Sequence, residues 1–312
     1  MNRNGLPNSK QQSFVPVDGT ELTLPVTVVS GGAPGKTALV TAGVHSREYV
    51  GVETARRLAA ALDPAHVRGT VVLVHACNYA GFRLHSNDVL PQDGKNLNHC
   101  FPGDPSGSAA ERLADFLCRE FLSRSDLAVD LHSGGYNETL TPHGYYQAAL
   151  DPAVCGASRE LGCFADHAYL VQVAATRGLF SYAPALGVPA VLLERGGCGL
   201  WREDEVRAMA ADVQNILRHA GVLCDGVPPV RYAPRVIQTA YYVPAPSDGC
   251  WYPALRPGAR IARGDVLGEL RDIFGAPLHT LRAETNGVLL YQAASLSVRA
   301  GATIAAYGEI ED

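Results

Sequence analysis

The chain has 312 residues, 47% of them hydrophobic and 18% charged, with a formal net charge of −5, enough for a large domain and a small one of ordinary globular composition. It has no basic run to neutralise phosphates, and no stretch approaching ~18 unbroken apolar residues, so nucleic acid and the membrane are not expected as partners. The start "MNRNGLPNSKQQ" has no apolar h-region, and eight cysteines are scattered without a CxxC pair, which points to a loose leader over residues 1–14 and reduced thiols in the cytoplasm.

In chain order, "ELTLPVTVVSG" reads as a strand and "TALVTAG" as a short buried one, followed by the helix "EYVGVETARRLAAALD". "GTVVLVHAC" is a further buried strand. "SAAERLADFLCREFL" is a helix, with Ser108 and Glu111 spaced as a capping box. "SDLAVDLHS" is a strand, "DPAVCGASRELGCFADHA" is helical, "VPAVLLERGG" is a strand, and "REDEVRAMAADVQNILRHAGV" closes the set as a helix. Buried strands alternating with helices predict an α/β domain over residues 15–229, with a mixed, largely parallel central sheet flanked by helices.

Beyond the prolines of "DGVPPVRYAPR" the texture changes to short β-type runs punctuated by glycine and proline. Residues 230–312 are expected to form a small all-β domain. Its "RPGARIARGDVLGEL…AETNGVLL…VRAGATIAAYG" resembles a biotinyl/lipoyl-like β-sandwich, but no lysine follows Lys95, so no attachment of either group is available. Walling a cleft, so as to restrict it to small substrates, is the role expected of it.

Parallel α/β sheets place their sites at the carboxyl ends of the strands. One predicted strand here runs into His45 with Glu48 close behind, another ends at His132, and a third at Glu194. Two imidazoles and a carboxylate, with a fourth position left to water, are a common way of holding catalytic zinc. Such an ion lowers the pKa of water and polarises a carbonyl, while Glu194 would take the proton and pass it to a leaving amine. Asp130, two before His132, points to the same face of its strand and is placed to orient a ligand imidazole.

The order "GVHSRE…DLHSG…LLERGG", with "NYAG" at Asn78, "PQDGKNLNHCFPG" at 91–103 and the β-rich C-terminal lobe, resembles the succinylglutamate desuccinylase/aspartoacylase family of the zinc carboxypeptidase superfamily. The resemblance implies a zinc carboxypeptidase-like fold, one Zn²⁺ per chain on His45, Glu48 and His132, Glu194 as general base and acid, and hydrolysis of an N-acyl amino acid or amine. Two departures bear on the substrate. His99 follows Asn98 where the family commonly has arginine, and Asp88 stands three before Pro91 where it tends to have another. Neither replaces the bidentate grip of a guanidinium on a carboxylate. Asn98, His99, Arg47 and Arg83 are therefore the candidate substrate-binding residues. His99 points to a substrate less acidic than N-acetylaspartate. A small-molecule substrate is expected, in a monomer or a homo-oligomer. The alternatives are a zinc carboxypeptidase acting on short peptides, suggested by "HSRE", a serine hydrolase built on Ser133, for which no G-x-S-x-G is present, and a non-catalytic binding protein of the same fold.

Overall fold

The computed structural model describes residues 7–86 and 88–310. In its first part the strands are β1 (Ser9–Pro16), β2 (Thr23–Ser30), β3 (Ala33–Ala42), β4 (Arg68–Val74), β5 (Leu127–His132), β6 (Glu138–Leu140), β7 (His143–Gln147), β8 (Tyr169–Val173), β9 (Ala190–Glu194) and β10 (Arg235–Ile237). The helices are α1 (Tyr49–Ala61), α2 (Tyr79–Leu84), α3 (Ala109–Glu120), α4 (Pro152–Gly162), α5 (Leu179–Tyr182) and α6 (Glu203–His219). All of these strands except β6 make one nine-stranded sheet, in the order β1-β2-β4-β3-β5-β9-β7-β8-β10. It is parallel from β4 through β3 and β5 to β9, and again over β7-β8-β10. It is antiparallel at β9/β7 and along the β1-β2-β4 edge.

Two expectations about boundaries change. Residues 9–14, expected in a loose leader, belong to β1, which pairs along its whole length with β2; residues 1–6 of that leader lie outside the described residues. The polar composition that suggested a leader is that of an exposed edge strand, with Val15 the buried residue of its pattern. The boundary expected after residue 229 falls too early, because β10 still pairs with β8 in the large sheet.

The C-terminal part is all-β, as expected. It comprises β11 (Ala240–Pro244), β12 (Gly249–Pro253), β13 (Arg260–Ile261), β14 (Val266–Arg271), β15 (Pro277–Arg282), β16 (Gly287–Ala293), β17 (Ser297–Val298) and β18 (Thr303–Glu309). These form one sheet in the order β11-β18-β16-β13 and another in the order β15-β14-β12-β17. β6, from the first part of the chain, pairs with β16 through Tyr291↔Leu140, Gln292↔Thr139 and Ala293↔Glu138. The small domain is thus stitched to the large one by backbone hydrogen bonds, at a point six residues beyond His132.

The core lies on both faces of the large sheet. On one face, Val50, Ala55, Leu58 and Ala59 of α1 and Val206, Met209, Val213 and Ile216 of α6 are buried against Val40, Val129 and Val191. Spacings of three and four recur in both sets and put one stripe of each helix inward. On the other, α3 buries Leu113, Ala114, Phe116 and Leu117 among residues of β2 and β4. The chain leaves β3 through α1 to reach β4 on one side, then returns to β5 on the other. The topological switch, where α/β sheets form their crevices, therefore lies at the carboxyl ends of β3 and β5. All eight cysteines are free thiols, and no helix of the described residues is long and apolar enough to cross a membrane.

Candidate active site

β3 ends at Ala42, and Gly43 turns the chain with φ of +63°, a conformation open to glycine. The turn carries His45 over the end of the sheet, and Glu48 becomes the residue before the first turn of α1. A helix N-cap normally spends its side chain on the helix's own free N–H groups. Glu48 does not; its Oε1 lies 2.8 Å from His45 Nδ1 and its Oε2 2.9 Å from His132 Nδ1. Oε2 also accepts the backbone N–H of Ser133 at 3.2 Å. Gly51 sets how closely α1 sits on β5, since a Cβ there would lie 2.8 Å from the carbonyl oxygen of Leu131. The helix thereby presses the His45–Glu48 turn against the end of the strand that bears His132.

His132 is 2% exposed, and its two ring nitrogens have different neighbours. Nε2 faces Asp130 Oδ2 at 3.1 Å, while Nδ1 faces Glu48. Asp130 also accepts the hydroxyl of Thr41, its register partner on β3, at 2.7 Å. An Nε2–H held by Asp130 leaves the Nδ1 lone pair directed at the centre of the cluster. Burial by itself would lower the pKa of His132, but Glu48 and Asp130 outweigh it and raise it well above the usual imidazole value. Burial would likewise raise Glu48, yet His132 and His45 hold it down to about 2. One donor atom from each of His45, Glu48 and His132 lies within 4.8 Å of the others. Two nitrogens and a carboxylate oxygen, converging and backed by an orienting carboxylate, fit a divalent metal ion of the zinc type.

Glu194 is the register partner of His132 on the neighbouring parallel strand. Its Oε2 is shut off from solvent and has no hydrogen-bond partner among the described residues. Burial, and then the charge of Glu48, push its pKa well above the ordinary carboxylate range. Tyr145 of β7, Tyr242 of β11 and Tyr291 of β16 all feel its charge or lend theirs to it, so the small domain reaches the cleft with two phenols. Nothing in the spacing of those tyrosines marks them in the sequence.

The expected substrate-binding residues separate. Arg47 stands 5.8 Å over the ring of Tyr136 and within electrostatic reach of Asp88. Asn98 Oδ1 accepts the N–H of Leu179 at 3.3 Å and so ties the 97–99 turn to the start of α5. His99 is exposed and lines a 450 Å³ hollow with Lys95 and Arg177. Arg177, which the sequence reading missed, brings a guanidinium to that hollow. Arg83 is not brought to the cluster. It lies 6.0 Å over Tyr79 and lines a different hollow with Tyr49, Phe82 and Trp201, because α2 turns it to the outer side of the loop. Also missed was Glu138 on β6, whose charge couples to Glu48 and Asp88.

Residues 34–220 match the model of the succinylglutamate desuccinylase/aspartoacylase catalytic domain. The chain is 32% identical over 298 residues to the N-alpha-acetyl-L-2,4-diaminobutyric acid deacetylase of Halomonas elongata, covering 92% of this chain and 86% of that protein. The product-bound structure of the ectoine utilization protein EutE (DoeB) from Ruegeria pomeroyi is similar, with a TM-score of 0.87 and 27% identity over 98% of both chains. A succinylglutamate desuccinylase/aspartoacylase from Rhodobacter sphaeroides gives a TM-score of 0.84 at 28% identity, over 97% of this chain and 96% of the other.

Proposed function

We propose that this chain, which belongs to the succinylglutamate desuccinylase/aspartoacylase family, is a zinc-dependent deacylase that hydrolyses the amide bond of a small N-acyl amino acid. The observation that carries this reading is the His45–Glu48–His132 cluster with the partnerless carboxylate of Glu194 in register beside it. N-alpha-acetyl-L-2,4-diaminobutyric acid, the compound named for the Halomonas elongata relative, is of this substrate class.

A zinc ion held by those three residues would bring the pKa of water toward neutral and polarise the acyl carbonyl. The remaining work falls to the chain's own groups. Asp130 keeps the proton of His132 on Nε2 and so leaves Nδ1 free to donate its lone pair. Glu194, at Oε2, takes the proton of the attacking water and delivers it to the departing amine nitrogen; burial makes it basic enough to accept that proton near neutral pH. The phenols of Tyr145, Tyr242 and Tyr291 lie within electrostatic reach of it. Arg47, which shares Asp88 as an electrostatic neighbour with His45 and Glu48, is the guanidinium suited to hold the substrate's carboxylate by a bidentate contact.

A hydrolysis panel tests this. N-acetyl, N-succinyl and N-formyl amino acids should release the free amino acid, and dipeptides with a free amino terminus should not. Cleavage confined to the peptides would move the assignment to a carboxypeptidase.

A further inference from the structure

We propose that Tyr136 sets the plane of the Arg47 guanidinium, and that this positioning makes the cleft selective for substrates with a free α-carboxylate. The proposal rests on the reading of the cleft as a site for N-acyl amino acids.

Arg47 lies between His45 and Glu48 on the turn that joins β3 to α1, and its Cζ stands 5.8 Å over the centroid of the Tyr136 ring. That is within the range of a cation–π contact. Tyr136 is 45% exposed, while Ser133, Gly134 and Gly135 before it are buried. Core packing therefore does not account for an aromatic residue at this point. The ring covers one face of the guanidinium and leaves the N–H donors at its edge, in the plane that a bidentate contact with a carboxylate uses. Asp88 supplies Arg47 with a counter-charge; the ring supplies its orientation.

The ring is itself held by a frame built from glycine. The segments that leave β5 and β9 run backbone to backbone: Gly134 N–H donates to the carbonyl of Gly196 at 3.2 Å, and Cys198 N–H to that of Glu138 at 2.7 Å. A Cβ on Gly134 would lie 3.0 Å from Cα of Gly197, and one on Gly197 would lie 2.5 Å from the carbonyl oxygen of Glu138. Gly199, at φ of +58°, closes the frame around the pair: a Cβ there would lie 3.2 Å from Tyr136 Cα and 3.6 Å from Arg47 Nη2. Two residues beyond Tyr136, β6 is paired in register with β16. The strands that end at His132 and Glu194 thus carry, in the segments that follow them, the support for a guanidinium that stands between the other two cluster residues. A side chain as long as arginine loses rotamer freedom when it grips a ligand, and bracing it beforehand reduces that cost.

The test follows acetate release from N-α-acetyl-L-alanine and from its α-carboxamide, which differ in the carboxylate alone. The zinc-loaded parent should favour the acid by on the order of tenfold in kcat/KM. Tyr136→Leu should raise KM for the acid by on the order of five- to tenfold with kcat little changed, and leave the carboxamide as it was. Tyr136→Phe, which keeps the ring, should behave as the parent. With Arg47→Gln in place, Tyr136→Leu should have no further effect. Equal turnover of the two compounds by the parent, an unchanged KM in Tyr136→Leu, an equal loss on both compounds, or a loss that adds to that of Arg47→Gln would overturn the assignment. If neither compound is cleaved, the deacylase reading has failed and calorimetry with the same intact compounds decides the role of Tyr136 alone. Tighter binding of the acid, lost in Tyr136→Leu and kept in Tyr136→Phe, supports it; binding that distinguishes neither the compounds nor the variants overturns it.

Discussion

Glu194 and Asp130 are both carboxylates beside His132, yet their surroundings assign them opposite work. Asp130 is fully engaged, by Thr41 on one oxygen and His132 on the other. Glu194 keeps an oxygen without a partner. An engaged group positions and a disengaged one is available to move a proton. Glu194→Gln should therefore keep bound zinc while lowering kcat by on the order of 10²–10⁴-fold; near-normal turnover in a metal-loaded variant would place the base elsewhere. Asp130→Ala should instead weaken zinc by roughly 10–100-fold, measured by competition with a chelating dye. Unchanged zinc affinity would mean that Asp130 only packs the strand.

At the scale of elements, the site depends on how closely α1 rides on β5. Gly51 makes that approach, and Gly51→Val would drive a side chain into the Leu131 carbonyl, 2.8 Å from the Cβ position. We predict a loss of roughly 1–3 kcal/mol in a urea titration, together with weaker metal binding; a variant as stable as the parent would show that α1 has room to shift. The β7–β8 region holds a second kind of strain. Burial holds His143 down to about 4 and His167 to about 3, and His143 Nδ1–H donates to the carbonyl of Thr141 at 2.7 Å. The unfolded chain takes up these protons below about pH 6.5, and the folded one does not until far lower. Their contribution is complete above about pH 6.5 and is lost as the pH falls toward 4. His143→Gln should flatten the acid side of the stability curve relative to the parent; parallel curves would refute a neutral His143.

At the scale of the whole molecule, the two parts are interlocked rather than strung together. β6 leaves the larger part of the chain to join the small domain's sheet, and Tyr242 and Tyr291 of that sheet lie within electrostatic reach of Glu194. What was legible in the sequence follows from range. His45, Glu48, His132 and Glu194 could be found because each sits at or just past the end of a continuous apolar strand, a local signal. Asp130 followed from strand alternation alone. Glu138, Arg177 and the tyrosines were not legible, because their place depends on strand pairings between residues far apart in the chain or on a loop without periodicity. Arg83 was misplaced for the same reason: its proximity in sequence to the motif said nothing of the side of the loop it faces. The strand β1 was missed because an edge strand exposed on one side carries few apolar residues.

The claim on which all of this turns is that the His45–Glu48–His132 cluster holds a catalytic zinc ion. The most direct measurement is metal content and N-acyl amino acid hydrolysis followed together through chelation and reconstitution. The account predicts about one zinc per chain, hydrolysis lost in step with zinc, and its return on adding the ion back to the parent but not to His132→Ala. Full hydrolysis by protein shown to be free of metal would contradict it.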